Sequence, residues 1–415
     1  MKSNYQSTLL KSYRNNRFRF AVLFLFLFFN SQIFAFTSSN PMGLKGFQEG
    51  YYVALLLFSS LYLFSQFHSS RGFVYKSDLT VVLLVTLLMS YSAFAAHVRF
   101  GQPIMYGLIE ERRIFSILIY FPIIWALRNR CVNIYEVFSI ITLTAFICLI
   151  LTFLVQFGII SKITVQDYST GALRQERYGI GQHYIAIALL YSVFLYLNGI
   201  DTNLQIIKVL SLFLVLVTVV QTRQIVLAVF IGSMIMSLRL SVRLLVRMLC
   251  LSAILVAIIT VYYSNNPSQF DTALILFSEL RNHEYLTESA RAVGYSIVYA
   301  ELIAGNIWGN GSLSLLWKNG FSRIYGDYFF LADIGVVGSF FKFGLLAIII
   351  YLAFYLTIFS KCFSARKSES FKLTLGVISY LTITAPVAAP LEYRGFIAGL
   401  VMAVVIFISS KETKI

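Results

Sequence analysis

Charge is scarce in this chain. Asp, Glu, Lys and Arg make up 12% of its 415 residues, about half the share found in soluble domains. That excludes a water-soluble globular protein of this length. Cysteine is scarce as well: the four residues Cys131, Cys148, Cys250 and Cys362 show neither metal spacing nor a disulfide framework. The four histidines, His68, His97, His183 and His283, lie far apart, and no carboxylates are spaced for a divalent ion. The sequence has no Gly-rich phosphate loop followed by Lys and no dinucleotide fingerprint. It has no internal repeat, which weighs against many transporter folds, and no segment that reads as a soluble domain. The expected chemistry therefore uses no metal, no cofactor and no nucleotide.

What is present is apolar length. Hydrophobic residues make up 58% of the chain and the mean hydropathy is +0.78. The apolar residues come in runs of about 15 to 25, enough to cross a bilayer as helices, whereas a transmembrane barrel would show short alternating segments. The reading is an all-α polytopic membrane protein, a single integral membrane domain over 1–415. About twelve spans are expected, near 18–36, 51–67, 79–96, 114–127, 135–160, 184–198, 204–221, 224–240, 247–264, 329–359, 372–389 and 394–409. The tenth is long and interrupted by Gly335, Gly338 and Lys342, and is expected to be tilted or broken. The first follows a basic start and reads as an uncleaved helix.

With the N-terminus inside, cytoplasmic segments hold about 19 of the 33 Lys and Arg, as the positive-inside rule requires. Both termini are then cytoplasmic. The net charge of +15 follows from topology and does not call for nucleic acid. Two outer segments differ, because their basic residues are interleaved with acids. One is a smaller loop at 161–183. The other is a large loop at 265–328, long enough to suggest function. In it Leu274, Phe277 and Leu280, and again Val293, Ile297 and Ala300, recur at helical spacing. They predict two amphipathic helices.

Six arginines at or near the outer face form the informative set: Arg174, Arg177, Arg223, Arg281, Arg291 and Arg323. Guanidinium is always charged and binds phosphate oxygens in pairs, which suits a lipid diphosphate headgroup. Singly, each arginine has an ordinary alternative in a salt bridge or a carbonyl cap. Arg223 sits between apolar runs, at a turn between helices or at the outer end of a span facing a cavity. Asp327 ends the large loop, where it serves equally as a helix N-cap or as a general base. Asp333 lies inside an apolar run, and Glu392 is one of the further carboxylates near the outer face.

The order of these pieces carries a resemblance. "RQERYGIGQHYIAIAL", "QTRQIVLAVFIG", "ESARAVGYSIVYAELIAGNIWGNGS" and "GDYFFLADIGVVGSFFKFG" resemble the O-antigen polymerase and ligase superfamily, the Wzy polymerase type in particular. The match covers about 170–345; the first half matches in hydropathy only. The resemblance implies a C-type glycosyltransferase fold in a bacterial inner membrane, with a helical periplasmic loop and a periplasmic active site. Donor and acceptor would be glycans on undecaprenyl diphosphate, and a chain-length regulator is a further candidate partner. It also implies that Arg223 and Arg291 clamp the diphosphate and that Arg174 or Arg177 binds a donor or acceptor phosphate; for the base, the residues themselves offer Asp327 or Glu288. Ligases of the superfamily typically carry a His where the outer loop meets the next span. Here Asp327 is the nearest ionisable residue, which disfavours a ligase. A flippase for lipid-linked oligosaccharide is the alternative from another class.

Overall fold

The computed structural model describes residues 17–31, 46–68, 75–156, 181–220, 222–237, 290–318, 320, 324–325 and 331–412. Within them every regular element is helical. In chain order these are α1 (Arg17–Asn30), α2 (Gly46–His68), α3 (Lys76–Phe100), α4 (Ile104–Glu110), a 3-10 segment (Glu111–Ile119) and α5 (Tyr120–Arg128). Then come α6 (Ile134–Gln156), α7 (Gln182–Leu197), α8 (Thr202–Val215), a π-helical turn (Leu216–Val220) and α9 (Arg223–Ser237). The rest are α10 (Ala290–Ile303), a 3-10 turn (Leu331–Ile334), α11 (Gly335–Phe343), α12 (Leu345–Ser364), α13 (Phe371–Thr384) and α14 (Gly395–Glu412).

Among the described residues four helices are long and apolar enough to cross a membrane: Phe47–His68, Lys76–Phe100, Ile134–Leu154 and Leu345–Ser364. Shorter apolar helices stand where several other spans were expected, as at Gln182–Leu197, Phe371–Thr384 and Gly395–Ser410. The expected span at 247–264, the loop at 161–180 and the helix around Leu274–Leu280 lie outside the described residues.

The apolar surface is turned outward. On α12, Ile348, Ile349, Leu352 and Leu356 are exposed, while Ala347, Ile350, Tyr351, Phe354 and Ile358 on the other face are buried. A broad exposed apolar stripe of this kind is a lipid-facing surface. By contrast α7 is buried all round from Tyr184 to Leu197. A helix that is apolar on every side belongs in the middle of a bundle. It packs between α6, α8, α9 and α13. Small residues let backbones close in. A Cβ on Gly232 of α9 would lie 3.0 Å from the Gly376 carbonyl of α13. One on Gly399 of α14 would lie 2.5 Å from the Ile117 carbonyl in the first 3-10 segment.

The long expected span at 329–359 is broken at Gly344, between α11 and α12. Gly344 has φ +56°, a conformation that favours glycine. Broken backbone at membrane depth needs partners from the protein, and the "GNG" stretch supplies them. Asn310 and Gly311 donate their N–H groups to the carbonyls of Phe341 and Lys342 at 2.7 and 2.9 Å, and Leu345 donates to Ile307 at 2.9 Å. Gln102, buried at the end of α3, holds the same strand of chain: it donates to the Ser312 carbonyl and accepts from the Ser314 N–H. Part of the large loop is thus core, not cover. The amphipathic helix expected there is present as α10. Its inward face runs through Gly294, Ile297 and Val298, and Ala300 is exposed.

Candidate functional site

Ionisable side chains are buried at both ends of this bundle. At one end Asp78, in the first turn of α3, is fully buried. Arg128 at the end of α5 grips both of its oxygens, at 2.6 and 2.9 Å. Tyr120, Gln66 and Ser77 complete the shell, and the guanidinium lies 3.8 Å from the Tyr75 ring centroid.

The other end holds a different arrangement. Lys342, at the end of α11, lies 3.0 Å from Glu111 and 2.9 Å from Glu392. All three are buried. Ser92 of α3 donates to Glu111 at 3.0 Å. Ser339 donates to the second oxygen of Glu392 and lies 3.1 Å from the Tyr351 hydroxyl. Lys342 and Arg113 both approach the Tyr393 ring, at 5.2 and 5.9 Å. One ammonium faces two carboxylates here. Burial above all, then the Glu111 charge, pushes the Glu392 carboxyl up from its ordinary range against the pull of Lys342. A carboxyl so placed is suited to holding a proton and giving it up.

Next to this centre, Arg394 is 5% exposed. Among the described residues no acceptor meets its Nε or Nη1. Its electrostatic neighbours, Tyr380, Tyr355 and His183, carry no opposing charge. His183 and the Tyr380 hydroxyl are 2.9 Å apart. Within the 265–328 segment, Glu301 of α10 binds Arg99 at 2.6 Å and accepts from Tyr325 and Asn306. Burial raises its pKa, but these hydrogen bonds and the Arg99 charge more than offset it, and the net shift is downward.

Along α2 and α3 runs an apolar groove of about 510 Å³, lined by Leu56, Leu63, Val82, Val85, Met89 and Phe115 among others. Its polar rim is the Arg112–Glu49 pair, 2.7 Å apart. No group of three or more His, Cys, Asp or Glu residues that could hold a metal occurs among the described residues.

Of the residues singled out from the sequence, Arg174, Arg177, Glu288 and Asp327 lie outside the described residues. Arg223 is the first residue of α9 and Arg291 the second of α10; their side chains too lie outside the description. The first turn of α9 abuts the end of α13, where Gln224 donates to the Ile383 carbonyl, one turn beyond Tyr380. Glu111, Arg113 and Arg394 were missed. Their signal is weak: "EERR" reads as a loop between two spans, and "EYR" as a short turn. Lys342 was seen only as an interruption, and Glu392 as one carboxylate among ten. No family model matches the chain, and no curated protein matches it.

Proposed function

We propose that this chain is a polytopic membrane glycosyltransferase of about twelve spans that joins lipid-linked oligosaccharide repeats at the outer face of a bacterial inner membrane. One observation supports the reading most. Buried ionisable groups that leave donors without acceptors meet at helix breaks in an apolar bundle: Glu111, Lys342 and Glu392, with Arg394 beside them. Such groups within a membrane protein are costly and point to function. The apolar groove along α2 and α3 offers room for an isoprenoid tail beside the same centre.

In this reading the growing glycan sits on one undecaprenyl diphosphate. A hydroxyl of the incoming repeat attacks its anomeric carbon, and a carboxylate takes the hydroxyl proton. Asp327 and Glu288, placed by the sequence at the end of the large loop and within it, are the candidates. The bond to the diphosphate oxygen breaks, and arginines including Arg223 and Arg291 hold the departing anion. No metal is required, and a single displacement inverts the anomeric centre.

The test is a gel of surface glycan from a strain lacking the protein, beside its parent and a complemented strain. Collapse of the ladder to core plus one repeat is the expected result. Bare core means ligase or flippase and overturns the proposal, as does an unchanged ladder.

A further inference from the structure

Among the described residues the Arg394 guanidinium meets no hydrogen-bond acceptor at Nε or Nη1. It stands between the turn that holds Glu392 and the first residue of α14. Lys342 and Ser339 already engage Glu392, so that carboxylate does not serve Arg394. The guanidinium keeps its charge under any ordinary condition. A buried cation without a counter-ion is costly, so the site calls for an anion.

The backbone around Arg394 calls for the same thing. α7 and α14 begin side by side: Tyr184 and Phe396, in their first turns, stack with ring centroids 4.5 Å apart and planes 4° apart. α9 begins at Arg223, and its first turn bonds to Ile383, one turn from Tyr380. Tyr380 in turn touches His183 in the first turn of α7. The first turns of three helices, of 16, 15 and 18 residues, are thus linked through these contacts, and Arg394 immediately precedes the last of them. Each leaves N–H groups without intrahelical acceptors and a partial positive charge. A tetrahedral oxyanion can accept from several directions at once, as backbone N–H groups, a guanidinium and the one donor left over by the His183–Tyr380 pair here require.

We propose that Arg394, with Tyr380 and His183, forms a phosphate-binding site. The phosphate is either the diphosphate of a lipid headgroup or a free phosphate anion. The site rests on its own geometry; its assignment to a lipid-linked substrate rests on the glycosyltransferase reading.

The experiment uses the full chain in lipid nanodiscs. Inorganic diphosphate and a polyprenyl diphosphate are titrated separately, and affinity and thermal shift are recorded for the wild type, Arg394→Gln, Arg394→Lys and Tyr380→Phe. Arg394→Gln should weaken binding at least about tenfold, since a charge-assisted phosphate contact is lost. Arg394→Lys should fall between it and the wild type, and Tyr380→Phe should lose a few-fold. Loss of both ligands together supports a phosphate site open to either source. Loss confined to the lipid ligand supports a headgroup site, and loss confined to the inorganic ligand supports a free-anion site. A wild type that binds neither, or an Arg394→Gln protein that binds as well as the wild type, overturns the proposal. If Arg394→Gln does not fold, undiminished binding in both Arg394→Lys and Tyr380→Phe overturns it instead. An unchanged glycan ladder in the deletion strain would sink the glycosyltransferase reading and leave these affinities untouched.

Discussion

The Asp78 end and the Glu111 end bury similar chemistry and use it differently. At the first, one carboxylate meets one guanidinium, and both Asp78 oxygens are filled from Arg128, Tyr120, Gln66 and Ser77. Charge cancels and donors match acceptors. At the second, two carboxylates share one ammonium, while a nearby guanidinium has donors to spare. A balanced buried pair ties helices together. An unbalanced cluster stores affinity for something else, whether a proton or an anion. Burial alone does not separate structure from site; the balance of charges and hydrogen bonds does.

The comparison is most exposed at Asp78. Asp78→Ala leaves Arg128 partly buried without its counter-charge and should cost about 3–5 kcal/mol. The yield of folded protein in the membrane should fall steeply, and glycan polymer should fall only in step with it. Normal yield would break the contrast. A smaller loss is expected of Lys342→Met, which leaves two carboxylates facing each other. Adding Glu111→Gln and Glu392→Gln to it should restore most of the lost thermal stability. Polymer, scored on the glycan gel at matched protein level, should not return. Polymer formation by the triple variant would make this end as structural as the other.

Gly311→Ala tests the packing beside the second centre. Its φ is +69°, and the new Cβ would fall 2.2 Å from the Ser92 carbonyl and 2.3 Å from the Ala96 nitrogen. A cost of about 1–3 kcal/mol is expected from overpacking, read as a lowered midpoint in thermal unfolding. The smallest effect is at Glu301. Its folded pKa lies below the unfolded value, so the stability it adds is present above about pH 4.3 and is lost as pH falls through the folded value. Hydrogen exchange of residues 300–318 should quicken in acid, and Glu301→Gln should remove that dependence. An identical acid profile in the variant would show that the loop is held by other contacts.

Hydropathy made much of the helical scaffold legible. The expected spans at 79–96, 135–160, 184–198 and 394–409 fall on α3, α6, α7 and α14 within a few residues at most termini, because each is a long apolar run. The interruption of the tenth span was legible from Gly335, Gly338 and Lys342, which marked it as tilted or broken; the break's position at Gly344 was not, since the apolar run continues through it. The buried centre was hidden for a different reason. Glu111, Lys342 and Glu392 are brought together only by packing, and in sequence each is a single charge beside an apolar run, which reads as a loop. The same limit applies to "GNG". Its resemblance to a family motif was visible, whereas its role in capping a broken helix needed the positions of Phe341 and Lys342. Polar segments drew attention to the outer arginines, and of these the structure describes only the backbone at Arg223 and Arg291 and the surroundings of α9 and α10.

The link from Lys342 to Glu111 has a consequence for biosynthesis. Glu111 leaves the ribosome roughly 230 residues before Lys342, a delay on the order of tens of seconds at ordinary elongation rates. Through that interval the early helices must enter the bilayer with this carboxyl lacking its ammonium. Ser92 of α3 is already made and can hold it meanwhile. The arrival of α11 then brings the ammonium to a carboxyl already held in place, so the late helices lock onto a seat that the early ones have built.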